Sequence, residues 1–191
     1  MKTQEQIDNI KAVVLYILQH FKNGVDYIKL FKIMYFAQRE YLSTYGLCVV
    51  EDTFKARPRG PVPSLTYKVV KMVENGENFN EFPDLKDFAD SISVDKDQRV
   101  TAKVAPDMDW IAEMEHKVLD ETISKYKDVP SDELSEMSHD AAYKKVVKLM
   151  ETDPERDTMT RIDMAKAGGA SKGTIEYIRE EQLIERALLA G

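Results

Sequence analysis

Asp26-Tyr27-Ile28-Lys29-Leu30-Phe31-Lys32-Ile33-Met34-Tyr35-Phe36-Ala37-Gln38-Arg39-Glu40-Tyr41-Leu42-Ser43-Thr44-Tyr45-Gly46 decides the architecture of this chain. Tyr27, Leu30, Phe31, Met34, Tyr41 and Tyr45 recur at helical spacing along one face, while Ile28, Ile33 and Phe36 spread apolar surface around the rest of the barrel. A surface helix carries a single apolar stripe, whereas a helix that is apolar on several sides sits in the middle of a fold. Asp26 can cap its start and Gly46 can end it. The other elements are therefore expected to pack around this helix.

Upstream, Thr3-x-x-Gln6 has the spacing of a capping box, and Ile7, Ile10, Val14, Ile17 and Phe21 continue a helical period to Asn23-Gly24. Downstream, residues 47–57 hold β-favouring side chains without helical period, and Arg57-Pro58-Arg59-Gly60-Pro61 breaks any regular element, which predicts a strand and a tight turn. Leu65, Val69, Met72 and Val73 mark a third helix starting at Pro61 or Ser64 and ending at Asn75-Gly76. Val100, Ala102 and Val104 alternate as a half-buried strand does, and the expected partner of this strand is 47–57. A fourth helix is expected from Trp110 to Tyr126, a short fifth from Pro130-Ser131-Asp132 through Met137, another through Tyr143, Val146 and Met150, and a terminal helix from Ile175 to Leu189. The expected fold is mainly α with a small antiparallel β-sheet (α+β), a compact helical domain over 1–152 followed by a helical C-terminal extension over 153–191.

The bulk composition agrees. In 191 residues, 43% are hydrophobic and 32% charged, which fits one soluble globular unit and excludes a disordered chain. Only 8 glycines and 7 prolines disfavour a turn-rich all-β fold. Cys48 is the single cysteine, so the chain can form neither an internal disulfide nor a thiolate cluster by itself. Met1-Lys2-Thr3-Gln4-Glu5 leads into an amphipathic run rather than a continuous apolar one, which is read as no signal peptide, no membrane span and a cytoplasmic location. The formal charge of -7 divides as +4 over residues 1–70, -8 over 71–150 and -3 over 151–191. The whole-molecule field therefore does not attract nucleic acid.

Few residues carry the pattern of a catalytic or metal centre. Glu113-x-x-His116 and Glu136-x-x-His139 have the helical spacing found in carboxylate-bridged di-metal bundles, but the further inward glutamates such sites need are missing, so no metal and no cofactor are expected. Ser138-His139-Asp140 are chain neighbours and cannot by themselves adopt triad geometry. Gly168-Gly169-Ala170-Ser171-Lys172-Gly173 lacks the spacing of a phosphate-binding loop. No enzymatic activity is expected. Residues 162–178 have helix-turn-helix spacing, which would set Ser171, Lys172 and Thr174 at the start of a DNA-reading helix, although Glu176, Glu180 and Glu181 on that helix oppose phosphate contact. Arg57 and Arg59, fixed by a rigid turn, suit a carboxylate or phosphate on a partner, and Tyr35, Tyr41 and Tyr45 are candidate anchors at a protein interface.

The run Lys29 to Gln38, then Tyr45-Gly46, Phe54-Lys55-Ala56-Arg57 and Gly60-Pro61-Val62, resembles the core signature of the Panacea (SocA-like, phage-associated GepA-like) antitoxin family. Leu134-Ser135-Glu136-Met137-Ser138-His139 with Tyr143 resembles its second block, departing from the family pattern at Met137, Ser138 and Tyr143; together the similarity covers about residues 5–150. The resemblance implies a helical domain with a small sheet that binds a co-encoded toxin protein directly. In the founding branch it also implies an adaptor that presents toxin to a ClpXP-type protease. Gly60 and Pro61 are expected to shape the turn, and His139 to satisfy a buried hydrogen bond.

Overall fold

The structure, a computed structural model, describes residues 2–190, with side chains through Leu188. Helix α1 (Gln4–Leu18) begins at the expected capping box: Thr3 Oγ1 accepts from the Gln6 amide, and the Gln6 side chain accepts from the Thr3 amide. Strand β1 (Val25–Asp26) runs directly into α2 (Tyr27–Tyr45), where the Asp26 carboxylate accepts from the Lys29 amide at 3.0 Å. Every residue from Leu30 to Gln38 is buried, as apolarity on all sides requires.

Around α2 stand the hairpin β2 (Phe54–Arg57) and β3 (Gly60–Pro63), then α3 (Ser64–Glu74) and the short α4 (Lys86–Asp90). Strands β4 (Ile92–Val94) and β5 (Arg99–Ala102) follow, then α5 (Glu113–Tyr126), α6 (Ser131–Met137), α7 (Ala141–Met150), α8 (Arg161–Ala167) and α9 (Lys172–Ala190). The chain is mainly helical with two small antiparallel sheets. A 3-10 turn over Met108–Trp110 precedes α5, which therefore starts three residues later than the Trp110 periodicity suggests.

Strand pairing departs from expectation. β5 pairs with β4 and β1, matching Val100 with Val94 and Val25, and does not meet residues 47–57. Both edges of β2 are already occupied. On one side β3 closes the hairpin with Phe54 opposite Pro63 and Arg57 opposite Gly60. On the other side the Ala56 amide donates to the Asp157 carbonyl at 2.8 Å, and the Met159 amide donates to the Phe54 carbonyl at 2.9 Å. The preceding apolar run is not a strand either, because Gln38 Oε1 accepts from the amides of Val49 and Val50 at 3.0 and 3.1 Å, so a helix side chain takes the place of a ladder partner.

The expected separation at residue 152 is also corrected. α8 lies against α2, and Met159, Met164, Ala165, Ile175 and Ile178 are buried in the common core. The approach is close enough to require Gly168, where an added Cβ would stand 2.7 Å from Ser43 Cβ and 2.9 Å from the Arg39 carbonyl. The C-terminal segment is thus part of the domain, not an appendage. Ending the chain after Glu151 is expected to uncover the apolar side of α2 and give an aggregating product with lost near-UV circular dichroism; a monomeric, cooperatively melting fragment would contradict this packing.

Asp140 ties α2 to α7. Its Oδ1 caps α7 by accepting from the amides of Ala142 and Tyr143, while Oδ2 accepts from the Tyr35 hydroxyl at 2.7 Å and Arg39 Nη1 at 2.9 Å. Removing the carboxylate leaves a largely buried guanidinium and a buried phenol without an acceptor. Asp140→Ala is therefore expected to cost about 3 kcal/mol in urea unfolding, more than an ordinary helix cap. A loss below about 1 kcal/mol would show that the cap is its only role.

Candidate functional site

The turn between β2 and β3 is held from three helices. Lys32 Nζ on α2 donates to the Pro61 carbonyl at 2.8 Å, Ser135 Oγ on α6 to the Arg59 carbonyl at 2.6 Å, and the Tyr143 hydroxyl on α7 to the Arg57 carbonyl at 2.9 Å. Gly60 lies at φ +98°, and a Cβ there would fall 2.3 Å from Ser138 Oγ and 3.2 Å from Lys32 Nζ, so both conformation and space demand glycine. Gly60 and Pro61 therefore open β3 at the exit of a multiply clamped turn over Pro58 and Arg59. Lys32 and Ser135 were not among the sequence candidates, since nothing local marks a lysine that will lie under a turn 29 residues away.

The two arginines of the turn differ. Arg57 Nη1 meets Asp157 at 2.8 Å, and Lys55 reaches the same carboxylate at 3.2 Å. Burial alone would raise the Asp157 carboxyl, but the hydrogen bonds and charges of Arg57 and Lys55 outweigh it and hold the group below its ordinary range. Arg57 is thus committed to the join between β2 and the C-terminal segment. Arg59 pairs with Asp132 on α6, and since both side chains are more than half exposed, solvent weakens that pair and leaves it exchangeable.

The tyrosine candidates separate in the same way. Tyr35 is fully enclosed, its hydroxyl on Asp140 and its ring against Phe54 and Phe36, and Tyr41 is also buried. Neither can anchor a partner, because the apolar band encircles α2 and the surrounding elements cover it. Tyr45, 36% exposed and packed on Tyr41 at 4.9 Å, is the one of the three that reaches the surface.

His139 stacks on Tyr143 at 4.3 Å with the rings nearly parallel, and its buried Nε2 has no hydrogen-bond partner, contrary to the expected satisfied contact. Burial first, then the nearby charges of Lys32 and Lys144, lower its basicity against the opposing pull of Glu136 and Asp140. Lys32 itself is 1% exposed and makes no ion pair with a described carboxylate within 4.0 Å. Burial, reinforced by the charge of Arg59, lowers it to about 7.

Elsewhere, His116 Nε2 faces Asp120 at 3.6 Å rather than Glu113, and no group of three His, Cys, Asp or Glu among the described residues is arranged to hold a metal ion. Ser171, Lys172 and Thr174 do stand at the start of α9, with Ser171 Oγ accepting from the Thr174 amide at 3.0 Å, while Glu176 and Glu180 on the same helix are exposed. α8, the first helix of the helix-turn-helix-like pair, is packed on α2.

Residues 30–144 match the family model described as antitoxin SocA-like, Panacea domain, which spans more than half of the chain. The chain belongs to the SocA-like antitoxin family. No match is found among curated proteins or among solved structures. The matched region begins within α2 and runs into α7, taking in the hairpin and all three clamps on its turn. It stops short of α8, which nevertheless completes the wrapping of α2.

The buried amine gives a pH signature. Because Lys32 titrates near 7 in the folded chain and at its ordinary 10.5 when unfolded, the unfolded state binds the extra proton between those values. Stability contributed by this group therefore rises with pH from about 7 upward, by as much as about 1.4 kcal/mol per pH unit, and the full penalty applies below that window. Lys32→Met is expected to flatten the rise between about pH 7 and pH 10 in urea titrations. Parallel pH profiles for both proteins would remove Lys32 from this role.

Proposed function

We propose that this protein is the antitoxin of a toxin-antitoxin pair and neutralises a co-encoded toxin in the cytoplasm by direct binding, with no cofactor and no catalysed reaction of its own. The match to the SocA-like antitoxin model carries this reading. No helix among the described residues is long and apolar enough to cross a membrane, which is compatible with it. The clamped hairpin turn supports a binding role, because a preshaped loop loses little conformational freedom when a partner docks. Arg59 is the leading contact: a partner carboxylate can replace Asp132 on its guanidinium without disturbing the core. Tyr45 at the end of α2 and the exposed part of Arg57 are further contacts. In the adaptor form of this reading the same grip holds the toxin for a ClpXP-type protease.

Co-expression with the product of the adjacent reading frame tests the proposal. The expected result is growth arrest by that product alone, rescue by this chain, and co-purification of the two. A neighbour that is harmless alone overturns it. Rescue that persists in a strain without the protease assigns simple sequestration, and rescue that vanishes there assigns the adaptor form. Arg59→Glu is expected to weaken co-purified binding by about tenfold or more while leaving the cooperativity of urea unfolding intact, since it alters an exposed pair.

A further inference from the structure

A cleft of about 750 Å³ opens beside the start of α1, the turn before α5 and the outer part of α9. Five carboxylates line it, those of Glu5, Glu51, Asp109, Glu115 and Glu185. They come from four separated stretches of the chain, so no local run of acidic sequence announces the set. Among the described residues the one cation on the wall is Arg161, already held by Glu185 at 2.7 Å and lying 3.9 Å from Glu51. Glu5, Asp109 and Glu115 make no ion pair within 4.0 Å among the described residues. The half-buried Glu115 accepts from the Ala112 amide at 2.9 Å; burial, and then repulsion from Glu51, raise its carboxyl against that hydrogen bond.

The cleft is not purely ionic. Trp110, the only tryptophan of the chain, lies in its wall, and the Asn9 side chain fixes that turn by donating to the Trp110 carbonyl at 3.1 Å. Leu188, 79% exposed on α9, adds an apolar side chain. An indole and a leucine amid excess negative charge complement a segment that offers apolar side chains together with Lys or Arg. Nucleic acid and acidic peptides are repelled by the same walls.

We propose that this cleft is a docking groove for a cationic, amphipathic segment of a partner protein, seated with its apolar side on Trp110 and Leu188 and its basic side chains among the five carboxylates. Helix-in-groove binding of this kind reads spaced apolar anchors, and the surrounding charge sets orientation and encounter rate. The groove is separate from the Arg59 turn, so it gives the molecule a second binding surface of opposite charge preference.

Intrinsic fluorescence tests this directly, because Trp110 is the single tryptophan and excitation at the red edge, where tyrosine does not absorb, isolates its emission. The probe is a synthetic 20-residue helical peptide of leucine and lysine without tryptophan, titrated into the full chain, with a version carrying glutamate for lysine as control. The expected result is a saturable shift of Trp110 emission with the lysine peptide, weakened about tenfold or more by raising salt from low to several hundred millimolar, and no shift with the glutamate peptide. The isosteric double variant Glu51→Gln, Asp109→Asn is expected to reduce affinity by about tenfold, whereas Glu133→Gln, an exposed carboxylate on α6, leaves it unchanged. Circular dichroism melting establishes that both variants are folded. No emission change, equal binding of the two peptides, or equal loss in the groove and control variants overturns the proposal. The probe is synthetic, so the outcome does not depend on whether the neighbouring gene product is a toxin.

Discussion

A helix enclosed on every side must settle each of its polar side chains internally, and α2 places three such demands on the rest of the molecule. Lys32 needs an acceptor and takes the Pro61 carbonyl, which fixes the hairpin. Gln38 offers Oε1 to two consecutive amides, which fixes the path of Val49 and Val50. Tyr35 and Arg39 converge on Asp140, which fixes the start of α7. An unmet buried polar group costs as much as a well-packed apolar side chain contributes, so these contacts select one arrangement of neighbours as firmly as the apolar packing does. Lys32 is the least settled of the three, since a carbonyl satisfies one of its protons and none of its charge.

The same enclosure explains what the chain revealed in advance. Periodicity around the whole barrel of α2 marked it as central, and the Thr3 and Gln6 capping box was visible as a local pattern because its groups are three residues apart. The Arg57 to Gly60 break was visible as well, but as a junction to a helix rather than a hairpin, because the following strand contains Pro61 and Pro63, residues that ordinarily argue against strand. A two-residue β1 has too little sequence to show any alternation, so the true partners of β5 were hidden. The aromatic richness of α2 offers Tyr35, Tyr41 and Tyr45 as candidate anchors without revealing how completely the helix is wrapped, and only the structure separates the buried pair from the exposed Tyr45. The acidic groove draws Glu5, Glu51, Asp109, Glu115 and Glu185 from across the chain, and spacing rules have no access to a set assembled by tertiary packing.

The extent of the family match and the extent of the folded body also differ. Residues 30–144 hold the hairpin and its clamps, yet α1, the start of α2 and α8 lie outside that range and contribute to the same core. The region carrying the family signature is thus a central portion of a larger cooperative unit. Its flanks supply enclosure and, through Glu5, Arg161 and α9, much of the groove wall.

Pro61 and Pro63 in β3 have one more effect. Neither has an amide hydrogen, so the outer rim of this strand offers an incoming chain too few donors to extend a ladder, while the opposite rim of β2 is closed by Asp157 to Met159. Neither rim of the hairpin is therefore a ready template for strand addition, and the Pro61 carbonyl on the outer rim is already taken by Lys32.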